Sequence, residues 1–334
     1  MSEYSPAAIA VTLILYCISG TLLTLANKLA IVAYPYANVL LIIQNGVTVI
    51  LLLAGSIFFP KIFQTMPSIN FQVFRTWFPL VVLFVTMLVS SLMALKDVSA
   101  VALIVMRNLS TLCVAFFEKL FLHEEIKPMT WCALIGILIG AVMFGARDLT
   151  FSLVGYLWIG VNVAATSAYQ IYVKKLINQS KELGPFGMSY INNMVSLPMF
   201  LLISLANNEL DHLNDLLEVG FFDILVIALS ALLGFSLSTT AFMMNKMISA
   251  TSMMVANNVN KFAVIILSEV FVERTLDDIS TMGTVLVMFF GWFYSKTKSQ
   301  GWTVKDILDG TYKLIFSTQS AARTGLEENN SNKV

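Results

Sequence analysis

The chain has 334 residues, 57% of them hydrophobic and only 12% charged, with a formal net charge of zero and a mean hydropathy of +0.80. A soluble domain carries about twice that share of charge, so a water-soluble globule is excluded, and no bulk field is present to draw nucleic acid. Cys17, Cys113 and Cys132 sit in apolar runs without metal-ligand or CxxC spacing, and His123 and His212 fall in expected loops, which leaves no basis for a metal centre, a cofactor or a histidine-based catalyst.

A membrane-spanning helix needs ~20 mostly apolar residues, because each residue rises about 1.5 Å and the hydrocarbon is ~30 Å thick. Ten segments satisfy this: 7–31, 36–59, 77–95, 99–122, 129–146, 151–176, 187–205, 221–244, 249–272 and 279–295. The first is too long for a signal-peptide core and has no basic flank, so it is expected to stay as a helix. Loops of even number hold Lys61, Arg75, Lys127, Lys174, Lys175, Lys181 and Lys246, whereas the odd ones hold only Lys96, Arg147 and Arg274. That asymmetry places the even loops and both termini in the cytosol. The loop with Glu209, Asp211, Asp215 and Glu218 then faces the lumen. The tail from 296 to 334 is polar and is expected to be cytosolic, and disordered beyond Phe316.

Sliding the chain by 150 residues lays Ser99-Ala100 on Ser249-Ala250, Val105 on Val255, Asn108 on Asn258, Val114 on Val264 and Phe121 on Phe271. The fourth span therefore matches the ninth, and the fifth corresponds to the tenth. An offset of five spans makes the halves opposite in topology, a recurrent transporter design with its site near the midplane. The expected architecture is an all-α membrane protein of ten transmembrane helices in two inverted five-helix repeats, residues 1–146 and 147–295, followed by the tail at 296–334.

Polar groups inside a bilayer cost several kcal/mol unless they meet a partner or a wet cavity. The ninth span carries Asn257, Asn258, Asn260 and Lys261 within one arc of about 160°. Its repeat partner carries Arg107, Asn108, Ser110 and Thr111 in the same arc. No acid lies mid-helix beside either cation, so a shared cavity would hold a charge near +2, suited to a phosphate or diphosphate. The alternative for both faces is hydrogen bonding between helices with a snorkelling lysine. The seventh span adds Ser189, Tyr190, Asn192 and Asn193, whose amides suit a nucleobase edge and whose phenol suits its face. Asn27 and Lys28 on the first span and Ser238 on the eighth complete the candidate set. Gly136 and Gly140 form a GxxxG pattern, which favours packing within the chain over a homodimer seam.

At these residues the chain resembles the nucleotide-sugar transporters of the drug/metabolite transporter superfamily, most of all the GDP-mannose transporter group. The resemblance runs through LANK on the first span, ALKDVSAVALIVMRNLSTL into the fourth and RDLTFSLVGYLW into the sixth. The family's guanine-reading FYNN element resembles Tyr190-Ile191-Asn192-Asn193, with Ile191 in place of the second aromatic. Its GALNK element, which contacts sugar and phosphate, resembles Asn257-Asn258-Val259-Asn260-Lys261, with two asparagines in place of Gly-Ala. The resemblance implies an antiporter, not an enzyme, exchanging a cytosolic GDP-sugar for lumenal GMP across the Golgi membrane, the endoplasmic reticulum being the other membrane that fits. GDP-mannose stands ahead of GDP-fucose. A carrier of UDP-sugars or sugar phosphates is the nearest rival. An intramembrane enzyme would need a nucleophile with a base, or paired acids, at mid-membrane depth, and no span offers them. Expected partners are the nucleotide sugar, the nucleoside monophosphate and membrane lipid.

Overall fold

A computed structural model describes residues 5–300 apart from 64–65, 123–127, 147, 150, 181, 248–249 and 273–275. The tail beyond residue 300, and His123, lie outside the described residues. Every regular element described is helical. In chain order they are α1 (Pro6–Ala33), α2 (Ala37–Phe58), α3 (Pro60–Phe63), α4 (Phe71–Asp97), α5 (Ala100–Arg107), α6 (Ser110–Leu122), α7 (Pro128–Gly145), α8 (Leu153–Gln179), α9 (Pro185–Ala206), α10 (Phe221–Met247), α11 (Ala250–Phe271) and α12 (Asp278–Gln300). Two 3-10 turns, Glu209–His212 and Asn214–Leu217, join α9 to α10. Among the described residues six helices are long and apolar enough to cross a membrane: α1, α2, α4, α7, α9 and α10.

Local chemistry sets the starts of these helices. Pro6 occupies the first turn of α1, where its missing N–H costs nothing, and Ser5 Oγ accepts from the Ala8 amide at 3.2 Å. Asn70 caps α4 through Val73 at 2.8 Å, and Ser99 caps α5 through Ala102 at 3.0 Å. Asp277 caps α12 through Ser280 at 2.7 Å.

The segment expected as one continuous fourth span differs. It is two helices, α5 and α6, meeting at Asn108-Leu109. The Asn108 amide bonds to Val105 O, Leu109 to Met106 O, Thr111 to Asn108 O and Leu112 to Leu109 O. This i→i+3 pattern is a tightened turn inside the bundle, of the kind found at functional joints. The Asn108 side chain supports it by donating to the carbonyls of Ile104 at 3.1 Å and Val105 at 3.3 Å, which lie in the last turn of α5.

Helices pack in a regular scheme: α1 on α10, α4 on α8, α2 on α9, α5 on α11 and α7 on α12. The last pair needs glycine. A Cβ on Gly140 would stand 2.8 Å from Gly283 O, and one on Gly283 would stand 2.7 Å from Gly140 O. Gly136 meets the Phe290 ring, so the GxxxG stripe serves packing within the chain.

One end of the bundle is tied together by the α9–α10 connection. Glu209, 7% exposed, accepts from the Asn38 amide and side chain, each at 2.8 Å, and from the Val39 amide at 3.3 Å. A carboxylate there satisfies orphan donors at the start of α2 and suits its dipole. Tyr36 stacks on His212 at 4.5 Å and donates to Asp215 at 3.1 Å, while Tyr34 donates to the His212 carbonyl at 3.0 Å. Burial, with the nearby Tyr36, Asp215 and Glu209, pushes the Tyr34 hydroxyl up to about 12. Burial and the bond to Asp215 raise Tyr36 as well. Both phenols therefore remain neutral donors.

Candidate functional site

The 150-residue repeat register becomes a contact. Lys261 Nζ, midway along α11, donates to Asn108 Oδ1 at 2.8 Å. Asn108 is 1% exposed and sits at the α5–α6 joint. Arg107, the preceding residue, lies within electrostatic reach of Lys261. Its Nε donates to Asn162 Oδ1 and its Nη2 to Ser91 Oγ, both at 3.0 Å. Among the described residues neither cation meets a carboxylate. Two positive charges are thus held inside the bundle by neutral acceptors only, and the N-terminal turn of α6 adds the positive end of its dipole.

Asn257 lies one turn before Lys261 and accepts from the Tyr16 hydroxyl on α1 at 2.6 Å. Asn260 Oδ1 is buried without a partner, and this side chain lies against Gly20, where a Cβ would approach its Nδ2 to 2.8 Å. The side chain of Asn258 lies outside the described ones, although its backbone belongs to α11.

The adjacent asparagines on α9 have different surroundings. Asn193 donates to Ser189 O at 2.7 Å and to Ser238 Oγ on α10 at 2.8 Å, and the two serine hydroxyls bond to each other at 2.8 Å. Asn192 is fully enclosed, and among the described residues neither its Oδ1 nor its Nδ2 has a partner. Leaving a buried amide unsatisfied costs about 1–3 kcal/mol. Tyr190 is half-buried on the same helix.

Asn27 and Lys28 are placed apart from the cation pair. Lys28, 9% exposed, donates to Leu95 O at 3.0 Å and Val98 O at 2.9 Å, and so caps the C-terminus of α4. Asn27 accepts from Gln44 at 2.8 Å, which also donates to Ser230 at 3.0 Å, linking α1, α2 and α10. Four residues around the cations were not singled out by sequence: Tyr16, Ser90, Ser91 and Asn162. The lone Asn162 in the apolar run WIGVNVAA carried a readable signal; a tyrosine or serine in such a run does not stand out.

The pattern of the Triose-phosphate Transporter family matches residues 7–295. The chain is 32% identical over 256 residues to the GDP-mannose transporter GONST1 of Arabidopsis thaliana, covering 74% of this chain and 76% of that one. It is 22% identical over 332 residues to the GDP-mannose transporter of Schizosaccharomyces pombe, covering 94% of each. It is 26% identical over 284 residues to GDP-fucose transporter 1 of Arabidopsis thaliana, covering 82% of this chain and 80% of that one. A solved crystal structure shares the fold at 15% identity with a TM-score of 0.54, over 86% of this chain and 96% of the other. The match reaches from the first turn of α1 into α12, and the chain belongs to the Triose-phosphate Transporter family, a multi-pass membrane transporter and not an enzyme.

Proposed function

We propose that this transporter exchanges a cytosolic GDP-sugar, GDP-mannose first, for lumenal GMP across the Golgi membrane. The observation that carries the reading is the pair of half-buried cations, Arg107 and Lys261, the second held by Asn108 next to Arg107 in the chain, with no carboxylate on either among the described residues. Such a pair calls for an anion with several acceptor oxygens, and a diphosphate supplies them. Asn192, an enclosed amide without partners, offers both donor and acceptor to a nucleobase edge. Asn193 with Ser238 and Tyr190 would line the base site, and Asn257, Asn258 and Asn260, on the helix that carries Lys261, are proposed as contacts for the sugar. Asn27 and Lys28 contribute through the packing of α1 on α2, α4 and α10 rather than at the cation pair.

The reading includes ten transmembrane helices in two inverted halves with both termini cytosolic. The packing scheme supports it. Exchanging the halves turns the α1–α10 pair into α8–α4 and leaves α2–α9, α5–α11 and α7–α12 unchanged, as a two-fold relation requires. The joint between α5 and α6 lies at the cations, where broken helices occur in transporters. A homodimer would have to use faces other than the glycine stripe, which is filled by α12.

Relatives named for GDP-mannose and for GDP-fucose both support a guanine nucleotide; a UDP-sugar or sugar-phosphate carrier is the alternative. Purified protein in liposomes loaded with labelled GDP-mannose decides between them. GMP should compete, and UMP and CMP should not. Competition by UMP alone, or by a base-free phosphate, would replace guanine with that ligand.

A further inference from the structure

The guanidinium of Arg107 is oriented from two sides without losing its charge. On one side Asn162 Oδ1 accepts from Nε at 3.0 Å; on the other Ser91 Oγ accepts from Nη2 at 3.0 Å. Asn162 is itself fixed. It is fully buried on α8, and its amino group donates to Met87 O at 2.7 Å and Ser90 Oγ at 3.2 Å on α4. Ser90 in turn donates to Thr86 O at 2.6 Å. The order of donors runs from Arg107 to Asn162 to the α4 backbone, so the Asn162 amide cannot flip without losing its donor contacts on α4. Among the described residues Nη1 and the second hydrogen of Nη2 meet no partner.

A guanidinium inside a protein is ordinarily held by a carboxylate, whose two oxygens match its fork. That arrangement would cancel the charge. An amide and a hydroxyl hold the same geometry and leave the charge available. We propose that Asn162 and Ser91 are positioning residues that aim Arg107 at the phosphate of the transported nucleotide while keeping it uncompensated. This rests on the reading of Arg107 and Lys261 as the phosphate holders. The competing account makes Asn162 an interhelical link between α8 and α4 with no bearing on the ligand.

An acid placed beside Arg107 separates the two accounts. Asn162→Asp and Ser91→Asp each put a carboxylate where a neutral acceptor now stands, and affinity for GMP and for guanosine is measured by calorimetry on the purified full chain. Wild type should bind GMP at least tenfold more tightly than guanosine. Each Asp variant should lose at least tenfold in GMP affinity with guanosine within twofold of wild type. Asn162→Asp also removes the donors to α4, so Ser91→Asp carries the test should the former fail to fold. Ser91→Ala should weaken GMP about threefold in the wild-type background and have no effect on top of Arg107→Lys, which lacks the fork. Folded Asp variants that keep the full preference for GMP, or that lose GMP and guanosine equally, overturn the proposal. A wild type that binds guanosine as tightly as GMP removes the phosphate site instead.

Discussion

Removing Lys261 tests the cation pair most directly. The ammonium now donates to Asn108 Oδ1 at 2.8 Å, and with nucleotide bound it is expected to share itself with a phosphate oxygen. At ~4 Å and an effective dielectric constant of ~20, one unit charge on phosphate interacts with it by about 4 kcal/mol. Hydrogen bonds to charged groups measure lower, about 1.5–3 kcal/mol. Taking the lower figure, Lys261→Met should weaken GMP by about ten- to one-hundred-fold, at ~1.4 kcal/mol per factor of ten. Folding should change little, because two effects oppose each other. Asn108 loses a donor, worth about 1 kcal/mol, while an enclosed charge with no acidic partner disappears. Lys261→Arg should restore only part of the affinity, since a planar fork replaces a point charge. The assay is calorimetry with GMP and guanosine side by side, with thermal unfolding as the control for fold. Equal loss of both ligands, or loss of the folded protein, would mean that Lys261 is packing and that the phosphate position is wrong.

Asn192→Leu should raise the unfolding temperature of ligand-free protein, because it removes an unsatisfied amide worth about 1–3 kcal/mol, yet lower GMP affinity; a destabilised variant with normal GMP binding would remove Asn192 from the base site. Glu209→Ala strips the cap from the start of α2 and should destabilise by about 1–2 kcal/mol, with faster hydrogen exchange at the Asn38 and Val39 amides; unchanged exchange there would refute the cap. A C-terminal tag should be removed by protease added outside sealed Golgi vesicles, and a protected tag would reverse the orientation read from the loop lysines and arginines.

The helical content was legible because a bilayer demands long apolar runs, and helices lie over each segment that hydropathy marks. The joint at Asn108-Leu109 was not legible. It contains neither glycine nor proline, and it is built by side-chain capping of Ile104 and Val105 together with a lysine 153 residues away. Lys28 shows the same difficulty. Its sequence position beside Asn27 suggested a cavity, but its acceptors, 67 and 70 residues on, are the carbonyls that end α4. The Asn192-Asn193 pair reads as one motif, yet successive helical residues turn about 100°. One amide therefore faces Ser238 and is satisfied, and its neighbour is enclosed without a partner. The 150-residue register pairs Asn108 with Asn258, whereas the bond in the structure joins Asn108 to Lys261, 153 residues away, so the register points to the two helices and not to the contacting pair.

Obligate exchange is the expected consequence of the proposed phosphate site. Two half-buried cations that meet no carboxylate among the described residues should change sides easily only when an anion accompanies them, since an uncompensated charge in a dry bundle costs several kcal/mol. Under the proposed function the phosphate of a bound nucleotide would supply that compensation, beside the Asn162, Ser91 and Asn108 side chains that hold the two cations. An empty carrier must instead pass through its closed state with Arg107 and Lys261 held by neutral acceptors alone. If that adds about 3 kcal/mol to the barrier, empty return slows by about a hundredfold. Liposomes loaded with labelled GMP should therefore lose label slowly into plain buffer, and tens of times faster when GMP is present outside. Efflux at the same rate under both conditions would mean that the empty carrier returns freely, and that the cation pair does not enforce exchange.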